Sequence, residues 1–190
     1  QTPGKFSLVI IDLQGRTVKE TVPLDKTPRG LEFGPNGKVL YITQAGIDSV
    51  VVVDPSNNQI MTQIPVGVSP HYANFTADGK RGLTAVQGPS QLTVFNPQTN
   101  SVEKSIKVGS RPHWVAPGPG SKTALTTNED SNDVSIVDLE SGAVTNITVG
   151  NAPRKIAVQT APGKQASSSR RITISGFAFE PATLKVSSGE

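Results

Sequence analysis

Four prolines recur along the chain at almost one interval, and that regularity limits the fold more than any other feature of its 190 residues. Pro28, Pro70, Pro112 and Pro153 stand 42, 42 and 41 residues apart. Asp12, Asp54, Asn96 and Asp138 keep a spacing of 42, and so do Lys38, Lys80, Lys122 and Lys164. Three sets of markers on one period mean that a single structural unit is repeated, each copy burying its apolar surface against the next.

The interior of the unit reads as four short strands. Leu31 to Phe33 is apolar at alternate positions, and Pro35-Asn36-Gly37-Lys38 follows as a hairpin turn carrying the Asn-Gly signal. Val39 to Thr43 is a second strand. Ser49 to Val53 is nearly all Val, the composition of a strand buried on both faces. After the Asp54-Pro55-Ser56-Asn57-Asn58 turn, Gln59 to Val66 alternates, as an edge strand with one wet face does. The next two units repeat the pattern around Thr76 to Lys80 and Asn96 to Asn100, then around Gly118 to Lys122 and Asp138 to Gly142. Helical repeats of this length are excluded, because Pro, Gly and β-branched residues stand where a helix needs Ala, Leu and Glu. The 18 glycines and 15 prolines agree with a turn-rich chain. The predicted fold is therefore all-β: a β-propeller of four-stranded antiparallel blades, partial or four-bladed in this chain.

Val66-Gly67-Val68-Ser69-Pro70-His71, followed by Ala77-Asp78-Gly79-Lys80, resembles the YVTN repeat of bacterial and archaeal propellers. Val39-Leu40-Tyr41-Ile42-Thr43 and Val51-Val52-Val53-Asp54 are similar to it as well. The resemblance spans roughly residues 6 to 165. It is specific for fold and poor for function, since one fold hosts many roles.

The repeats divide residues 1–164 into a half blade over 6–24, whole blades over 27–67, 69–109 and 111–150, and a partial blade over 153–164. Ser7 to Asp12 aligns with a third strand and Thr17 to Leu24 with a fourth, while Arg154 to Val158 aligns with a first. The end segments could share one composite blade, giving four in all. The preferred expectations are upstream blades or two chains completing one ring. Residues 165–170, Gln-Ala-Ser-Ser-Ser-Arg, read as a linker. Residues 171–190 leave the period, and they read as two strands around the Glu180-Pro181 corner. The stretch Phe177-Ala178-Phe179-Glu180-Pro181-Ala182-Thr183-Leu184-Lys185-Val186 resembles the start of a plastocyanin-like cupredoxin domain. That resemblance implies copper in a complete downstream domain. No cofactor is expected within this chain, because a blue-copper site needs His, Cys, His and usually Met, and the segment has none of them. Met61, the only methionine, is expected to fill a gap in a blade core.

In an antiparallel meander, alternate connections emerge on opposite faces. The loops between blades and the turns between second and third strands thus share one face. This face gathers Arg29, His71, Tyr72, Arg111, His113, Trp114, Arg154 and Lys155, together with Asp48, Glu129, Asp130 and Asp133. His71 and His113 hold one repeat position. They fit metal ligation or proton transfer near the channel, or equally a repeat residue that bonds blade backbone. Arg29 and Arg154 at that position in other units favour the backbone role. Tyr72 and Trp114 fit either a ligand patch or a plug in the channel. The Asn128 to Asp133 run could offer oxygens to calcium, but it lacks the full EF-hand spacing and reads more simply as a solvated loop.

Lys and Arg exceed Asp and Glu by three, but no block of like charge forms, so no nucleic-acid partner is expected. Cysteine is absent, which excludes disulfides. No apolar run reaches the length of a membrane span. No nucleophile elbow, Walker loop or HExxH pattern occurs. The expected function is a non-catalytic binding or scaffold module with a protein or small-ligand partner on the His/Arg face. The two resemblances imply a periplasmic or extracellular setting and an attached copper electron-transfer domain. Two alternatives stand beside it. The order propeller then cupredoxin is similar to nitrous oxide reductase, a copper oxidoreductase whose propeller is rich in histidines, whereas this chain has two. Many YVTN propellers also resemble surface-layer or adhesion proteins.

Overall fold

The computed structural model describes residues 6–159, 173–175 and 178–180. Two compact units result, Gln1–Val158 and Gln159–Glu190. The first begins with a hairpin of β1 (Phe6–Asp12) and β2 (Thr17–Leu24). Three four-stranded antiparallel meanders follow. They are β3 (Pro28–Phe33), β4 (Leu40–Gln44), β5 (Ser49–Asp54) and β6 (Gln59–Pro65); β7 (Pro70–Phe75), β8 (Gly82–Val86), β9 (Gln91–Asn96) and β10 (Ser101–Lys107); and β11 (Pro112–Pro117), β12 (Thr123–Asn128), β13 (Asp133–Asp138) and β14 (Val144–Thr148). A turn of 3₁₀ helix at Pro119–Ser121 replaces the hairpin turn before β12. The opening prolines lie inside the ladders as the first residues of β3, β7 and β11, a strand position that tolerates a missing N–H.

Each blade buries both faces against its neighbours. Val50, Val52, Ile64 and Tyr41 of the first blade meet Phe75, Val86 and Phe95 of the second. Leu83, Leu92, Val94 and Ile106 meet Val115, Ala124, Val137 and Leu139 of the third in the same way. Tyr41 packs edge-on to Phe75 with centroids 4.8 Å apart, and Phe75 packs edge-on to Phe95 at 5.9 Å. Gly82 leaves the space for the Phe95 ring, because a Cβ there would fall within it. The Tyr41 hydroxyl donates to the Pro97 carbonyl at 3.2 Å, so the one polar atom in this aromatic cluster is satisfied.

At the two ends of the row the equivalent faces are open. Ile147 stands where Ile64 and Ile106 stand in earlier blades, yet it is 49% exposed while they are buried. Val9 and Ile11 of β1 are also exposed.

Every complete blade has a β-bulge in its first strand, at Arg29, His71 and His113. A second series lies in the outer strands at Lys19, Met61 and Glu103. β13 pairs with β14 without a shift. That missing bulge residue is why Pro153 follows Pro112 by 41 residues rather than 42.

Three expectations need correction. Met61 is 56% exposed and fills no core gap, because the bulge places it on the edge strand facing out. Arg154 to Val158 joins no ladder among the described residues, since a strand exists only with a bonded neighbour. The Arg154 carbonyl nonetheless accepts from Thr127 Oγ1 at 3.2 Å, as the His71 carbonyl accepts from Thr43 Oγ1 at 2.8 Å. In the second unit, β15 (Thr173–Ser175) pairs with β16 (Ala178–Glu180), so the chain reverses before the Glu180-Pro181 corner rather than at it. The linker 165–170 and the remainder of 171–190 lie outside the described residues.

Phe95→Ala is expected to cost about 3–5 kcal/mol, since it empties the centre of the first blade interface. Gly82→Ala, which forces the Phe95 ring aside, should cost about 1–3 kcal/mol. Urea denaturation of each variant measures both.

Candidate functional site

The connections between blades and the turns between second and third strands are stitched together, repeat by repeat. Ala45 N donates to Thr27 O at 2.8 Å, Gln87 N to Ser69 O at 3.0 Å, and Glu129 N to Arg111 O at 3.1 Å. Ser69, Arg111 and Ala152 take the left-handed conformation there, with φ of 62°, 55° and 49°. The chain then enters the first strand, where the bulge turns one side chain out of the alternating pattern. The side chains so displayed are Arg29, His71 and His113, with Arg154 at the matching place beyond the third blade.

These residues form two rows across successive blades. In one, the His71 and His113 rings lie 3.9 Å apart, inclined at 38°. His113 Nδ1 is 3.1 Å from the Arg154 carbonyl. Arg29 Nη1 donates to Ser69 Oγ at 2.8 Å. In the other row, Tyr72 and Trp114 stack at 3.5 Å and 12°. Lys155 Nζ caps the stack 5.2 Å from the Trp114 ring, a cation–π contact. Gly30 completes that row. A Cβ at Gly30 would sit 2.8 Å from Tyr72 Cδ2, so the glycine makes room for the tyrosine ring. The Tyr72 hydroxyl donates to Glu32 Oε2 at 2.8 Å. Tyr72 and Trp114 are thus packed on each other and on Lys155.

Glu129 is the site residue whose importance the sequence conceals, because it lies in an acidic run that reads as a solvated loop. It is 8% exposed and holds two arginines: Arg154 Nη2 at 2.6 Å and Arg111 Nε at 3.6 Å. Asp130 faces Arg111 Nη1 at 3.6 Å. Asn128 Nδ2 donates to Asp133 Oδ1 at 2.5 Å and to Ser135 Oγ at 2.8 Å. The acidic run is therefore spent on arginines and on its own turn. Asp48 is exposed and lies at the equivalent turn of the first blade. Among the described residues, no group of three or more His, Cys, Asp and Glu side chains is placed to hold a metal ion.

Burial is the main cause that lowers the His71 pKa to about 4, with His113 and Arg29 adding to it and Glu129 opposing. His71 Nδ1 is buried with no partner in hydrogen-bond geometry, although the His113 backbone lies near enough to favour the charged ring slightly. Burial also lowers His113, and Glu129 and the Arg154 carbonyl oppose that shift. Both imidazoles are neutral at pH 7. Tyr72 is pushed up to about 12 by burial and by Glu32.

No family model matches the chain, and no curated protein matches it in sequence. Several solved structures resemble it. Hydrazine synthase of Kuenenia stuttgartiensis is similar at TM-score 0.64 and 24% identity, over 69% of this chain and 39% of that one. A functionally unknown protein from Desulfotomaculum acetoxidans DSM 771 is similar at TM-score 0.61 and 11% identity, over 77% and 50%. Dihydro-heme d1 dehydrogenase NirN, in complex with DHE, is similar at TM-score 0.61 and 18% identity, over 77% and 33%. The chain spans half or less of each of these proteins. At such identities the likeness shows the fold alone, and that fold is a β-propeller.

Two outcomes follow from the electrostatics. The unfolded chain binds a proton on His71 near pH 6.5, whereas the folded chain does so only near pH 4. The His71 contribution to stability is therefore complete above pH 6.5 and lost as pH falls towards 4. Thermal melts across this window should show the decline, and His71→Gln should flatten it. Glu129→Gln removes the charge that supports both imidazolium forms, so NMR titration should show both histidine pKa values falling further.

Proposed function

We propose that this propeller is a non-catalytic binding and scaffold module of a secreted or periplasmic protein. Its blades are of the YVTN type, and the complete protein carries a copper-binding cupredoxin domain that moves electrons. The observation that carries the reading is the bulged position shared by Arg29, His71, His113 and Arg154. A repeated backbone irregularity lifts these side chains out of the blade pattern onto one face, beside Arg111 and Lys155. Arg29 and Lys155 are exposed and face no carboxylate in an ion pair among the described residues. They suit a partner that presents carboxylates or other hydrogen-bond acceptors. Glu129 is held by two arginines, which makes it a brace for this surface.

Closure of the ring belongs to the same reading. Ile147 at one end, and Val9 and Ile11 at the other, offer apolar faces suited to further blades or to a second copy of the chain. The segment 171–190 enters through its resemblance to the first strands of a cupredoxin.

The experiment is copper analysis and cell fractionation of the protein from its native host, with its whole reading frame. A blue-copper absorption in the periplasmic or extracellular fraction supports the reading. A copper-free protein on the cell surface overturns the electron-transfer part and favours adhesion. For the binding face, the double variant Arg29→Glu, Lys155→Glu should weaken partner association about tenfold or more, and added salt should mimic it. An unchanged affinity would move the partner to another surface.

A further inference from the structure

The chain has two histidines and no cysteine, so any imidazole or thiolate ligation by it rests on His71 and His113. The fold brings these two residues, 42 positions apart, into one ring pair with centroids 3.9 Å apart. The contact at His113 fixes its tautomer. Nδ1 lies 3.1 Å from the Arg154 carbonyl, which only accepts, so Nδ1 carries the proton and Nε2 keeps its lone pair. An Nδ1–H bond to a backbone carbonyl is also the contact that orients most metal-binding histidines. At His71 the Nδ1 atom is sealed inside the protein, so Nε2 is the nitrogen its ring presents outward. Among the described residues neither Nε2 has a hydrogen-bond partner, and neither is a buried orphan.

We propose that His71 and His113 together bind one borderline divalent ion, zinc or copper, through their Nε2 atoms, with water in the remaining positions. Two imidazole nitrogens on one ion, each at about 2.0–2.1 Å, stand about 3–4 Å apart, which matches the separation of the rings. Imidazole suits these metals, and the neutral ring is the form that ligates. Both rings stay neutral well below pH 7, because burial disfavours their charged forms. Glu129 gives its oxygens to Arg111 and Arg154, so it acts on the ion through its field alone. Arg29, Arg111 and Arg154 oppose a cation, and Asp130 offsets Arg111. Two protein ligands against that balance imply a Kd on the order of micromolar. The site is independent of the copper proposed for the attached domain, whose ligands would be other residues.

The test is a Zn²⁺ titration of the tag-free 190-residue chain by calorimetry, repeated with Cu²⁺. One ion per chain is expected, with copper bound more tightly than zinc. His71→Gln and His113→Gln should each weaken binding about tenfold or more. Nitrogen NMR of the unsubstituted chain provides an arm that no folding defect can confuse. Zinc should move the Nε2 resonances of both rings while His113 Nδ1 stays protonated. Absence of saturable binding below about 1 mM, binding that survives the double substitution, or a shift in only one ring would each overturn the proposal.

Discussion

The structure depends on burial between blades. A four-stranded sheet of this size has two apolar faces and cannot cover either by itself. Phe95 illustrates how the problem is solved. It lies in the third strand of the second blade, fully buried, and reaches the first blade through space that Gly82 leaves open. Tyr41 and Phe75 complete that interface with edge-on contacts, and aliphatic side chains repeat the arrangement one blade later. The hydrogen-bond ladders hold each sheet together, but the packing between sheets is what makes the row a stable object.

The candidate site follows from the same periodicity. A bulge in every first strand lifts one side chain out of alternation, and the identity of that side chain is free to vary because it carries no ladder bond. Arg, His, His and Arg fill the position in turn. The neighbouring position is constrained by packing, which explains the sequence Gly30, Tyr72, Trp114 and Lys155: an empty place, a ring, a larger ring stacked on it, and a cation above. A single structural rule thus produces one row of packed side chains and one row of displayed ones.

Much of this was legible in the sequence. The markers at Pro28, Pro70 and Pro112 located the blades, and the Val-rich third strand announced its burial. The shared face of Arg29, His71 and His113 followed from meander topology alone. What stayed hidden depends on register and on partners distant in sequence. Met61 looks like a core residue until the bulge turns it outward. Glu129 looks solvated until Arg111 and Arg154 close over it. The Tyr72–Trp114 stack joins residues 42 apart, and no local pattern predicts that rings on adjacent blades will meet face to face. The spacing of 41 before Pro153 was visible, but its meaning required the ladders: the third blade lacks the outer-strand bulge.

Each ladder of the three complete blades closes within one repeat, between strands that follow each other directly in the chain. This has a consequence for how the protein is made. A blade can assemble its sheet as soon as its own 42 residues have left the ribosome, without waiting for a distant segment. The next blade then finds a formed apolar face on which to condense. Topologies dominated by local pairing fold quickly for their size. Synthesis from the N-terminus would thus extend the row in order, and the exposed face at each moment would always belong to the most recently completed blade.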